Sequence, residues 1–107
     1  MVDAEVERIV LRFAKALSAR GICIDSIVVF GSHAGGRPHG DSDIDVAVVS
    51  PDFGKDRYEE GKMLFQTAWR IDPRLEPVPI SSQSYEQDTW IPLIHEIKQK
   101  GSVLSLG

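Results

Sequence analysis

The chain has one cysteine, Cys23, in 107 residues. Without a second thiol it can form neither an intramolecular disulfide nor a cysteine-based zinc site, so a reduced, cytoplasmic setting is expected. Cys23, between Ile22 and Ile24, reads as a small buried hydrophobe. Long apolar runs are also missing, and none approaches the ~20 residues of a spanning helix. Asp3, Glu5 and Glu7 stand where a signal peptide would be basic, so neither membrane insertion nor secretion is expected. Positive charge is short: 12 Lys and Arg face 16 Asp and Glu, a formal net charge of -4. That balance argues against holding nucleic acid chiefly by neutralising its phosphates. There is no internal repeat, linker or polar tract, and 42% hydrophobic with 26% charged residues is the balance of a globular protein. One domain over residues 1–107 is expected, with little chain left for a separate substrate domain.

What is present is organised by period. Val6, Ile9, Val10, Phe13, Ala14 and Leu17 recur at helical spacing from Asp3 to Ala19, and Gly21 closes that helix. Ile24 to Phe30 and Asp43 to Val49 are short and β-branched, and both read as interior strands. A helix is predicted from about Lys55 to Ile71, stopped by Pro73, with Tyr58, Met63, Leu64, Phe65, Ala68 and Trp69 as its apolar side and Trp69 in the core. Pro77 and Pro79 lack their N–H on the same side of Leu75 to Ser81, which places that strand at a sheet edge. A last helix is predicted from Thr89 to Lys100 with Asp88 as N-cap and Pro92 in its first turn; Trp90, at its start, is a candidate exposed interface residue. The order implies an α+β (α/β) arrangement, a small central mixed sheet flanked by helices.

The chemistry concentrates between the first two strands. Gly31-Ser32 ends one strand, and its backbone amides and serine hydroxyl can bind phosphate where glycine permits close approach. Asp43 and Asp45 lie two apart on the next strand and so project from the same face. Paired carboxylates suit Mg²⁺, which takes hard oxygen ligands and completes its shell with water and substrate phosphates. Two such ions about 3.5–4 Å apart can polarise a phosphorus, acidify an attacking hydroxyl and neutralise a leaving pyrophosphate. The thirteen positions from Gly31 to Asp43 predict a loop with one helical turn. Within it His33 and His39 read as solvated, with phosphate or acceptor contact as the alternative, and Asp41 and Ser42 as turn-forming.

Gly31-Ser32, ten residues, then Asp43-Ile44-Asp45 resembles the GSx10DxD signature of the DNA polymerase β nucleotidyltransferase superfamily, and the short length is similar to its minimal members. The resemblance spans about Ile27 to Ile80. It implies the superfamily's fold, two Mg²⁺ ions, and transfer of a nucleoside monophosphate from an NTP, here expected to be ATP, to an acceptor hydroxyl. It also implies a third carboxylate that helps ligate metal and takes the acceptor proton. Glu76 is the candidate, inside the apolar run Leu75 to Ser81, with Asp72 as the fallback. Where minimal members carry a basic residue this chain has Gly35, and Arg37 is the nearest replacement for binding nucleotide. Stand-alone members are often antitoxins that adenylylate a small helical HEPN toxin, so a protein acceptor is expected, and a homodimer is open.

Other readings of these residues compete. An EF-hand loop starting at Asp41 would need glycine where Val46 stands and glutamate where Asp52 stands. A Walker A loop would need Lys-Ser/Thr where Arg37-Pro38 stands. Both are rejected. A binding module that inhibits its partner by contact, and a small-molecule nucleotidyltransferase of the aminoglycoside type, stay open as alternatives.

Overall fold

The computed structural model describes residues 2–34 and 43–106. Along them run α1 (Ala4–Ala19), β1 (Ser26–Phe30), a 3-10 turn (Gly31–His33), β2 (Ile44–Ser50), α2 (Arg57–Ile71), β3 (Leu75–Ser81), α3 (Ser82–Gln87), α4 (Pro92–Lys100) and β4 (Ser102–Val103). The strands form one mixed sheet in the order β3-β2-β1-β4, with β1 antiparallel to β2 and β4, and β2 parallel to β3. This is the α+β class expected.

α1 starts where the Asp3 carboxylate accepts the Glu5 N–H at 3.0 Å and ends before Gly21, whose φ of +91° is left-handed. All six of its predicted apolar positions are buried. With Leu64 and Ala68 of α2 they cover the sheet face carrying Ile27, Val29, Ile44, Val46 and Val48. Ile94 and Ile97 of α4 cover the opposite face, which carries Val28, Phe30, Ala47, Val49 and Ile80. β2 is therefore sandwiched between two apolar layers, which is why it reads as an unbroken apolar run beyond Asp45. β3 is an edge strand, as the prolines predict. The Arg74 carbonyl accepts the Ile44 N–H at 2.7 Å, so the alternate residues Glu76, Val78 and Ile80 also face β2, and the two prolines turn their donorless side outward.

Several expectations are corrected. Tyr58, Phe65 and Trp69 are exposed, not core. α2 touches the layer beneath it through Leu64, Thr67 and Ala68, and residues 58, 65 and 69 repeat with the same helical period on a neighbouring stripe, so period alone cannot choose between them. Cys23 is exposed because the ladder begins only at Ser26, and its N–H donates to Asp52 at 2.8 Å on the surface. The predicted last helix begins later than Thr89, and a short helix that was not predicted, α3, precedes it. Ser81 caps α3 by accepting the Ser84 N–H at 3.1 Å, Asp88 closes that helix instead of opening the next, and Pro92 starts α4. The two-residue β4 carries too little sequence to show a period.

Candidate active site

The register of the sheet builds the site. Phe30, Asp45 and Glu76 stand in one row across β1, β2 and β3, and Asp43 lies just before β2. Where β1 ends, Gly31 takes φ +72°, a left-handed conformation that glycine adopts without cost. A Cβ at this position would overlap the Asp45 carboxylate and lie 3.3 Å from its Cγ. Glycine is thus required twice, for the turn and for the close approach of backbone to carboxylate. The turn continues as a single 3-10 turn with Ser32 exposed and the Ala34 N–H returning to the Gly31 carbonyl at 3.2 Å.

The three acids predicted from sequence come together. The Glu76 carboxyl lies close to those of both Asp45 and Asp43. Desolvation, then the charges of Asp43 and Asp45, raise the Glu76 carboxyl above its ordinary value. Desolvation likewise raises Asp45; the neighbouring Glu76 carboxyl opposes this, Asp43 adds to it, His33 opposes it and Glu96 adds to it. Asp45 is half-buried while Asp43 and Glu76 are exposed, so water screens part of this repulsion. Among the described residues no three such side chains are arranged as a finished metal cage. A hard cation that keeps water and shares substrate phosphate needs only one or two carboxylates, and crowded, mutually repelling carboxyls are the donor set it suits. Asp43, Asp45 and Glu76 fit Mg²⁺ on that ground.

Asp72, the fallback acid, is committed elsewhere. Its carboxylate accepts the Arg74 N–H at 2.8 Å and the Arg74 guanidinium at 3.1 Å, which holds it below the usual carboxylate range. That clasp shapes the turn leading into β3 and so helps set the height of Glu76. Two neighbours of the site were not legible. His33, expected in solvent, is buried, and it and Glu96 of α4 both lie near enough to Asp45 to act on its carboxyl. Glu96 is remote in sequence and has no local motif; His33 follows Gly31-Ser32 directly, but nothing in the loop signals its burial. Arg37, predicted to bind nucleotide, lies outside the described residues, as do Gly35, His39, Asp41 and Ser42.

A family model described as a nucleotidyltransferase domain matches residues 10–91. No curated protein matches the chain. Among solved structures, a nucleotidyltransferase candidate from Sulfolobus solfataricus superposes with a TM-score of 0.66 at 14% identity, over 92% of this chain and 78% of that one. A toxin-antitoxin complex with AMP-PNP contains a chain similar at a TM-score of 0.57 and 22% identity, over 92% of this chain and 72% of that one. At these identities the likeness is one of fold.

Proposed function

The chain belongs to the nucleotidyltransferase domain family, and we propose from that premise that it transfers AMP from ATP to a hydroxyl of a small helical partner protein of the HEPN type, the activity of an antitoxin. The observation that carries this reading is the meeting of Asp43, Asp45 and Glu76 beside the left-handed turn at Gly31. Fold similarity to a chain from a toxin-antitoxin complex with AMP-PNP supports the adenine nucleotide and the toxin partner.

In this mechanism the amides around Gly31 and the exposed Ser32 hydroxyl hold the outer phosphates of ATP. Asp43, Asp45 and Glu76 hold Mg²⁺, which when bound makes the α-phosphorus more electrophilic and offsets charge on the leaving group. The acceptor oxygen forms a bond to the α-phosphorus, the bond from that phosphorus to the β-bridging oxygen breaks, and pyrophosphate leaves. Glu76, in the row of acids beside the Gly31 turn, takes the acceptor proton. His33, buried at the end of the Gly31 turn, lies near Asp45 and helps shape this end of the site.

The test is transfer of label from α-³²P-ATP to proteins in a lysate of the source cells, with wild type against the Asp43→Asn/Asp45→Asn variant. Label on one small protein, absent with the variant, is expected. No label above a folded variant would reject transfer and leave inhibition by contact, whereas label on a low-mass acceptor would replace the protein substrate with a small molecule.

A further inference from the structure

α2 buries Leu64, Thr67 and Ala68, and in a helix covered on one side only the remaining surface should be polar. Instead it carries rings. Tyr58, Phe65 and Trp69 are 75%, 52% and 69% exposed, and steps of seven and four residues set them on one stripe. Phe65 and Trp69, with Arg20, Gln66 and Arg70, line a groove of ≈ 510 Å³ between the end of α1 and α2. Contiguous exposed apolar surface marks an interaction site, and aromatic and arginine side chains dominate the energetics of such sites.

Charge indicates what covers it. Both ionisable residues of the groove are arginines, in a chain whose net charge is -4. Among the described residues neither is in an ion pair, and Arg20 donates to the Thr67 hydroxyl at 3.3 Å, which holds its guanidinium at the groove wall. A second copy using the same patch would set arginines against arginines across a two-fold axis, which disfavours self-pairing. A nucleic acid would gain little from so few cations on an acidic chain.

We propose that the outer face of α2 docks a protein partner through an amphipathic helix whose apolar anchors fill the Phe65–Trp69 groove and whose flanking Asp or Glu carboxylates pair with Arg20 and Arg70. α2 packs on the sheet face opposite to Asp45 and Glu76, so a partner held here leaves the carboxylate face open to nucleotide. The inference stands on α2 and does not require nucleotidyl transfer.

The test uses the full chain with Trp90→Phe, which leaves Trp69 as the one tryptophan. Two labelled synthetic helical peptides with the same leucine pattern, one flanked by glutamates and one by lysines, are titrated against it by anisotropy and by Trp69 emission. The glutamate peptide is expected to bind about tenfold more tightly or better and to shift the Trp69 emission to the blue, and Phe65→Ser is expected to weaken it about tenfold with unchanged circular dichroism. Arg20→Glu/Arg70→Glu should reverse the order of the two peptides. Equal affinities, an unmoved Trp69 emission, tighter binding of a single-stranded oligonucleotide, or a dimer of the chain abolished by Phe65→Ser would each overturn the proposal. No readout involves ATP, so failure here and failure of the transfer assay are separate results.

Discussion

Gly31 shows how much one residue can decide. Its φ of +72° would cost an alanine roughly 1–2 kcal/mol, and the added methyl would overlap Asp45. Gly31→Ala is therefore expected to lower the melting temperature and abolish nucleotide transfer together; a variant with normal activity would contradict the close approach of turn and carboxylate. Asp45 should behave in the opposite way. It is destabilised by burial and by like charges, so Asp45→Asn is expected to lose activity while melting higher than wild type, on the order of two degrees. Glu60 supplies a pH-dependent contrast away from the site. Its carboxylate accepts the N–H groups of Gly54, Lys55 and Asp56 at 3.0–3.1 Å. Burial alone would raise it, but these donors outweigh burial and hold it below its ordinary value. A lowered acid stabilises fully above the ordinary glutamate range and loses that contribution as pH falls through its folded value. The gap in melting temperature between wild type and Glu60→Gln should thus be present at neutral pH and close on acidification; a gap independent of pH would assign Glu60 a different role. At this scale the acids were readable because carboxylates are costly inside apolar runs. The burial of His33 and the approach of Glu96 were not, since both depend on how distant elements meet.

Among the elements, α2 separates what period can and cannot reveal. It predicts a helix from residues 55–71, and the helix runs Arg57–Ile71. It does not say which of two adjacent apolar stripes is covered, because that depends on the tilt of α2 over the sheet. Leu64, fully buried, should cost roughly 3 kcal/mol when replaced by alanine, whereas Trp69→Ala should stay within about 0.5 kcal/mol. Urea unfolding of the two variants decides this, and a larger loss at Trp69 would return the ring to the core. β3 was legible for a different reason: two prolines with one outward side fix an edge without any knowledge of the neighbours. α3 was missed because Ser82–Gln87 is polar apart from Tyr85, and its start is written only in the hydroxyl of Ser81.

The whole molecule divides its labour across the sheet. One face packs α1 and α2 over an apolar layer, and the other packs α4 and gathers the carboxylates at the end where β1 stops and β2 and β3 begin. This arrangement was legible as a class, since a signature joining two strands and an acid on a third nearly fixes their adjacency, while the positions of the last two helices were not. Among the described residues no helix is long and apolar enough to cross a membrane. The central claim is that the acid cluster and the Gly31 turn form one metal-dependent nucleotide site, and calorimetric titration of the purified chain with ATP tests it without knowledge of the acceptor. Saturable binding that requires Mg²⁺ and disappears in Asp43→Asn/Asp45→Asn is the predicted result. Binding of equal strength without the metal, or undiminished in the folded double variant, would contradict it.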